Sequence, residues 1–97
     1  MIRVLIVEDS AVIGVLLTAI IENEEDFKVI GVAKTGLEAI EMTEALNPDL
    51  ITMDIRMPVM DGITSIRTIM STHPKPIVVI SSNVNDDMHI NFKAIDE

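Results

Sequence analysis

The sequence contains no cysteine, tryptophan or tyrosine, and it has few cations. Seven Lys and Arg residues stand against 16 Asp and Glu residues, which gives a formal net charge of −9 at pH 7. Without cysteine there is no disulfide, no cysteine-ligated zinc and no thiol nucleophile, and this absence favours a reducing, cytoplasmic compartment. Because the acidic balance repels nucleic acid phosphates and no two cations are adjacent, we expect no direct nucleic acid contact.

Long hydrophobic runs are also missing. The longest apolar run, residues 11–21, is much shorter than the roughly 20 residues that a membrane-spanning helix needs, so we expect no membrane insertion. No signal peptide pattern is visible. At 97 residues and 48% hydrophobic content, the chain is predicted to fold as one domain, residues 1–97, around a single core.

Short runs rich in β-branched residues alternate with longer segments of helical period. This alternation predicts an α/β fold, in which a parallel sheet is covered by helices on both faces. The predicted strands are residues 2–7, 27–32, 50–54 and 77–81.

Helical spacing of apolar residues predicts the connections between these strands. The first helix follows a Ser10 cap, although Val12, Ile13 and Val15 also favour a strand. The second helix, residues 35–46, opens with the capping-box spacing of Thr35 and Glu38. A third is predicted over residues 62–71, and a fourth from residues 86–87 onward because Met88, Phe92 and Ile95 share one helical stripe.

Three carboxylates follow predicted strands directly. Glu8 and Asp9 come after the first strand and Asp54 ends the third, so adjacent strands would bring all three to one edge of the sheet. Their mutual repulsion is relieved by raised pKa values or by a divalent cation, and oxygen ligands without His or Cys suit Mg²⁺. The alternative is that Asp9 and Ser10 cap the first helix and Asp54 begins a polar loop.

The fourth strand ends at the same edge with Ser81. Its hydroxyl would lie where it can donate a hydrogen bond to a phosphoryl oxygen. Taken alone, a serine at a strand end is more often a cap, so its significance depends on the neighbouring acids.

Three separated motifs together resemble the response-regulator receiver domains of two-component signalling. They are Val-Leu-Ile-Val-Glu-Asp-Ser at 4–10, Asp-Ile-Arg-Met-Pro-Val-Met-Asp-Gly at 54–62 and Val-Val-Ile-Ser-Ser at 78–82. The chain most resembles the receivers of chemotaxis protein-glutamate methylesterases. The resemblance implies a flavodoxin-like doubly wound parallel sheet of order 2-1-3-4-5, which lacks its fifth strand and fifth helix in this chain.

The resemblance also implies a role for each site residue. Asp54 would accept a phosphoryl group from a histidine kinase or a phosphotransfer domain. Asp9 would bind Mg²⁺ directly, Glu8 mainly through water, and Arg56 would contribute its backbone carbonyl. Ser81 would hydrogen-bond the phosphoryl group and act in the switch.

Any output would come from another domain. A methylesterase domain following this chain would hydrolyse receptor glutamyl methyl esters, whereas the receiver itself would turn over nothing beyond its own phosphorylation and dephosphorylation. A haloacid-dehalogenase phosphatase is disfavoured because position 56 is Arg where that class needs a second aspartate. A nucleotide-binding fold is disfavoured because no Gly-rich turn follows the first strand.

One departure from the receiver pattern leaves an alternative open. The receiver lysine at the end of a fifth strand is missing, so a receiver-like interaction or dimerisation module that is not phosphorylated remains an alternative.

Strand four is apolar on both faces and would become an exposed edge, which predicts a fragment that forms a homodimer through that strand. Gly14, Val15 and Ala19 are predicted on the outer face of the first helix, as a docking surface or as ordinary exposed residues.

Overall fold

The computed structural model describes residues 1–54, 62–83 and 89–95. Strands and helices alternate through most of the chain, as predicted. In chain order the elements are β1 (Ile2–Val7), α1 (Ala11–Glu22), β2 (Phe27–Ala33), α2 (Gly36–Leu46), β3 (Leu50–Asp54), α3 (Gly62–Thr72), β4 (Ile77–Asn83) and β5 (His89–Ile95). None of the helices in these ranges combines the length and apolar character needed to cross a bilayer.

The strands form one sheet of order β2-β1-β3-β4-β5. β1 pairs in parallel with β2 and β3, and β3 pairs in parallel with β4. The predicted doubly wound sheet, with parallel strands in the order 2-1-3-4, is therefore confirmed. β5 runs antiparallel to β4, so it is not the parallel fifth strand of the receiver pattern.

The predicted fourth helix is wrong, because residues 89–95 form β5 instead. β4 is apolar, and its outer edge needs partners for its backbone N–H and C=O groups. β5 supplies them along the whole strand, from Ile77 opposite Ile95 to Asn83 opposite His89. Since β4 is paired on both sides, the prediction of an exposed fourth strand is also wrong, and a homodimer through that strand loses its basis.

Side chains of alternate strand residues pack on opposite faces of the sheet. On one face, residues of β1, β3 and β4 form a core with α2 and α3: Leu5, Val7, Ala39, Ile51, Met53, Ile66, Ile69, Ile77 and Val79. On the other face, Leu17 of α1 packs with Val4, Ile6 and Ile80. Because both faces of the sheet are buried, the strand sequences are continuous apolar runs.

The outer face of α1 was only partly predicted. Val15 is 72% exposed and Ala19 is also exposed, as expected. Gly14, however, is buried, and a Cβ atom there would lie 3.4 Å from Cγ1 of Val32 on β2. The close approach of α1 to β2 sets this rotation of the helix about its axis.

Hydrogen bonds from side chains define the ends of the first two helices. Oγ of Ser10 accepts from the backbone N–H of Ile13 at 3.3 Å, and Oγ1 of Thr35 accepts from Glu38 N–H at 3.0 Å. The Glu38 carboxylate accepts in turn from the backbone N–H of Lys34 at 2.8 Å. The predicted caps of α1 and α2 are therefore confirmed.

Arg3 closes the other end of α2. Its Nη2 donates to the carbonyl of Leu46 at 2.8 Å and its Nη1 to the carbonyl of Asn47 at 2.9 Å. Asn47 has a left-handed backbone, with φ of 49°. These carbonyls have no partner within the helix, so the guanidinium both satisfies them and offsets the negative end of the helix dipole.

We expect Arg3→Met to lower the free energy of unfolding by about 1–3 kcal/mol, because hydrogen bonds to a charged donor are lost. Urea unfolding followed by circular dichroism measures this difference. The matched control is Lys28→Met, which removes one charge from an exposed residue at the register position opposite Arg3 on β2. Equal losses in the two variants would contradict the helix-capping role.

Two buried threonines differ in how their hydroxyls are satisfied. Oγ1 of Thr43 donates to the carbonyl of Ala39 at 2.6 Å. Oγ1 of Thr52 is buried and has no hydrogen-bond partner among the residues that the structure describes.

We therefore expect opposite results from the same substitution at these two sites. Thr52→Val should raise the free energy of unfolding by about 1 kcal/mol because it removes a buried, unpaired polar group. Thr43→Val should lower it by about 1 kcal/mol because a hydrogen bond is lost. Urea unfolding of the two variants tests this pair, and a destabilised Thr52→Val variant would contradict the account.

Candidate functional site

Three carboxylates meet at the carboxyl ends of β1 and β3. Val7 pairs with Met53 in the register between these strands, so Glu8 and Asp54 leave the sheet side by side. Carboxylate oxygens of Glu8, Asp9 and Asp54 all lie within 4.8 Å of one another. The prediction that adjacent strands bring these acids together is confirmed.

The three acids differ in burial. Glu8 is 2% exposed and Asp54 is 5% exposed, whereas Asp9 is exposed to solvent. The cluster is therefore a half-open site, with two acids set into the protein and one at its rim.

The backbone around Glu8 fixes its position. Its N–H donates to the carbonyl of Ala33, at the end of β2, at 2.8 Å. Its carboxylate Oε2 accepts from the backbone N–H of Ser10 at 3.1 Å, while the Ser10 hydroxyl caps α1. The capping alternative is thus correct for Ser10, but Asp9 is not the cap residue of this helix.

Burial raises the pKa of Glu8 from 4.5 to about 7. The N–H of Ser10 acts in the opposite direction because it stabilises the carboxylate. Hydrogen bonding to Asp9 and the nearby Asp54 carboxylate raise the pKa further. Near neutral pH the cluster therefore relieves part of its repulsion by keeping a proton on Glu8.

The donor set fits a hard divalent cation. All three side chains offer oxygen, and the exposed position of Asp9 leaves room for water ligands on the solvent side. Mg²⁺ prefers a few carboxylates together with several retained waters. A bound cation would also offset the repulsion that the Glu8 proton relieves in its absence.

Of two other predicted site residues, Ser81 is described by its backbone and Arg56 is not described. Asp54 pairs with Ile80 in the register between β3 and β4, so the backbone of Ser81 lies one position farther along β4, at the same edge of the sheet. β4 continues to Asn83, two residues past its predicted end. The predicted ligand Arg56 lies outside the described residues.

Sequence reasoning missed the strand that borders this edge. β5 pairs with Ser81, Ser82 and Asn83 through Asn91, Ile90 and His89, respectively. The alternation of Ile90, Phe92 and Ala94 with polar residues was the available signal for a strand.

Comparisons with known proteins agree with this architecture. The family model of the response regulator receiver domain matches residues 4–96. A protein-glutamate methylesterase/protein-glutamine glutaminase of Caldanaerobacter subterraneus is 48% identical over 95 residues, which are 98% of this chain and 26% of that protein. A similar enzyme of Geobacter metallireducens is 45% identical, over 99% of this chain and 28% of that protein. The chain thus spans about a quarter of the length of these relatives.

Solved structures show the same similarity. The response regulator domain of Thermotoga maritima CheB superposes with a TM-score of 0.83 at 44% identity, over 91% of this chain and 66% of that one. CheY6 of R. sphaeroides, in a complex with the P1 domain of CheA3, gives a TM-score of 0.74 at 37% identity, over 84% of this chain and 64% of the matched chain.

Proposed function

The chain belongs to the response regulator receiver domain family, and we propose that Asp54 accepts a phosphoryl group from a histidine kinase or phosphotransfer domain with the aid of Mg²⁺. One observation carries this proposal: the carboxylates of Glu8, Asp9 and Asp54 converge within 4.8 Å at one edge of the sheet. A nucleophilic carboxylate beside a cation site is what phosphoryl transfer to a protein aspartate requires.

Asp54 acts as the nucleophile. One of its carboxylate oxygens attacks phosphorus as the bond from phosphorus to the donor breaks, so the phosphoryl group passes to Asp54 and the donor leaves with the bonding electron pair. Burial of Asp54 in β3 fixes the direction of attack, because a residue at the end of a paired strand has little freedom.

Asp9 and Asp54 would hold Mg²⁺, and Glu8 would act on it through water; the family resemblance implies the backbone carbonyl of Arg56 as a further ligand. The cation would supply positive charge that offsets the charge on the phosphoryl oxygens during transfer. When Glu8 is protonated, its carboxyl group shares the proton with the neighbouring Asp9 and Asp54, which keeps the proton within the cluster. The family resemblance implies that Ser81, on the neighbouring strand β4, would hydrogen-bond one phosphoryl oxygen.

The partners follow from the same proposal. The donor is a phosphohistidine on a kinase or phosphotransfer domain, and a solved relative, CheY6, forms a complex with the P1 domain of CheA3. The relatives are named protein-glutamate methylesterases, so the proposed output is a methylesterase domain whose hydrolysis of glutamyl methyl esters would be controlled by phosphorylation of Asp54.

Phosphoryl incorporation from a small donor tests the proposal. The protein is incubated with acetyl phosphate and Mg²⁺, and its intact mass is recorded by mass spectrometry. We expect the mass to rise by one phosphoryl group, and we expect a chelator to prevent the rise. A protein whose mass stays unchanged under these conditions would instead be a receiver-like interaction module.

A further inference from the structure

Lys34 differs from the other cationic side chains of this protein because it follows the carboxyl end of a parallel strand, β2. The other cationic side chains of the described residues lie near the amino ends of strands, on α3 or within β5: Arg3, Lys28, Lys75, Arg67 and Lys93. Within the described part of the chain, Lys34 is therefore the one cation at the edge of the sheet that carries Glu8, Asp9 and Asp54.

The strand register places Lys34 and Asp54 at the same level on this edge. Ala33 pairs with Val7, and Val7 pairs with Met53, so Lys34 and Asp54 each come one residue after this row. β1 lies between β2 and β3. Two strand spacings, roughly 10 Å, therefore separate the backbones of the two residues.

Lys34 and Asp54 also lie on the same side of the sheet, the side that α1 covers. Leu50 packs in the core around Leu17 of α1, so the two-residue period of β3 places Asp54 on that side. Lys34 lines a groove of about 300 Å³ between α1 and β2, together with Val32. The lysine and the proposed nucleophile thus share one edge and one side of the sheet.

Hydrogen bonds fix the backbone on both sides of the bond between Ala33 and Lys34. The N–H of Lys34 donates to the carboxylate of Glu38 at 2.8 Å. The carbonyl of Ala33 accepts from the N–H of Glu8 at 2.8 Å. The starting point of the Lys34 side chain is therefore set relative to the acidic cluster.

The acidic cluster does not neutralise the charge of Lys34. Burial and interactions with Ser10, Asp9 and Asp54 shift the pKa of Glu8, and Lys34 is not among these causes. The side chain of Lys34 is exposed. Its ammonium group is therefore available to an anion that approaches from solvent.

A phosphodonor approaches this site against electrostatic repulsion. Acetyl phosphate and phosphohistidine are anions, the protein has a formal net charge of −9, and three carboxylates form the site. A cation bound in the cluster would offset charge there but not on the surrounding surface. A positive side chain at the rim would raise the local concentration of anions and their rate of association.

We propose that the ammonium group of Lys34 binds the phosphate group of the incoming donor and so guides the donor to Asp54. Lys34 acts on the binding of the donor, and attack by Asp54 on the bound donor proceeds without it. The inference rests on the proposed function of Asp54, because the donor is the one proposed there.

Phosphoryl incorporation from acetyl phosphate at saturating Mg²⁺ and low salt tests this role. We expect Lys34→Met to raise the apparent KM for acetyl phosphate by about threefold and to leave the maximal rate unchanged. Lys34→Arg keeps the charge and should keep the wild-type KM. The matched control is Lys28→Met, which removes the same charge from an exposed residue near the amino end of β2.

Salt provides a second comparison between these variants. The difference between Lys34→Met and wild type should disappear near 1 M salt, where the screening length is about 3 Å. Equal KM values in Lys34→Met and Lys28→Met at low salt would overturn the proposal. A lower maximal rate with an unchanged KM, or an Lys34→Arg variant that behaves like Lys34→Met, would also overturn it.

Binding of inorganic phosphate gives a measurement that does not depend on phosphoryl transfer. Amide chemical shifts are followed as phosphate is added to the protein with Mg²⁺. We expect phosphate to bind about threefold more weakly to Lys34→Met and with unchanged affinity to Lys28→Met. If wild type incorporates no phosphoryl group, the proposed function fails, and weaker phosphate binding in Lys34→Met alone still supports anion recognition by Lys34. Equal affinities in all three proteins, or no binding to wild type, would overturn it.

Discussion

Replacing Asp54 with asparagine is expected to reduce phosphoryl incorporation from acetyl phosphate to the background level. The amide is a poor nucleophile, and the other two acids of the cluster, Glu8 and Asp9, follow β1 rather than ending β3. Asp54→Asn nearly conserves the volume of the buried side chain, so the fold should persist. Intact-mass measurement in the presence of Mg²⁺ gives the incorporation, and circular dichroism checks the fold.

Two further variants distinguish the role of Asp54 as nucleophile from the role of Asp9 as metal ligand. Asp9→Asn should weaken Mg²⁺ binding by about tenfold or more, equivalent to about 1.4 kcal/mol, yet still allow Asp54 to react at high Mg²⁺ concentration. Asp26→Asn, at an exposed acid outside the cluster, should leave both properties unchanged. Full incorporation in Asp54→Asn would show that another residue accepts the phosphoryl group.

The meeting of the three carboxylates was predictable because it depends on local rules. Each of β1 and β3 is a short apolar run that ends in an acid, and parallel neighbours end at the same edge of a sheet. Placing Glu8, Asp9 and Asp54 together therefore needed only the strand positions and their adjacency. Which acids are buried could not be predicted, because the burial of Glu8 depends on the chain around it, including β2 at Ala33 and the turn into α1.

β5 and the rotation of α1 depend on contacts between distant segments. The pattern of 89–95 fits both a helix and a strand, and the unpaired edge of β4 decides between them, which no local window of sequence contains. Gly14 lies within an almost wholly apolar helix, so hydropathy does not identify its buried face. The approach to Val32 on β2 decides it.

We expect the free energy of unfolding of the metal-free domain to fall as pH rises from about 4.5 to about 7, because of Glu8. The pKa of Glu8 is about 7 in the folded protein, whereas its ordinary value is 4.5. Below pH 4.5 Glu8 is protonated in both the folded and unfolded states and adds no penalty. Between the two values the unfolded chain has released the proton while the folded protein retains it, so ionisation increasingly favours unfolding. Above pH 7 the penalty is constant at about 3 kcal/mol.

The variant Glu8→Gln isolates this contribution because its side chain does not titrate. We expect Glu8→Gln and wild type to differ in the free energy of unfolding by an amount that grows with pH, and Glu8→Gln to be the more stable near pH 8. Titrating groups outside the cluster affect both proteins equally and cancel in the difference. Urea unfolding in a chelator at several pH values gives the two curves, and Glu44→Gln, which removes an exposed carboxylate on α2, is the control.

Mg²⁺ should make wild type more stable than Glu8→Gln near pH 8, the reverse of their order without the cation. A cation in the cluster favours the ionised form of Glu8, so binding releases the proton at neutral pH and the apparent affinity falls as pH decreases below 7. Saturating Mg²⁺ should therefore stabilise wild type more than Glu8→Gln. If the difference between the two proteins does not vary with pH in the chelator, Glu8 does not hold a proton at neutral pH. If the difference varies with pH but Mg²⁺ leaves it unchanged, Glu8 holds the proton and takes no part in cation binding.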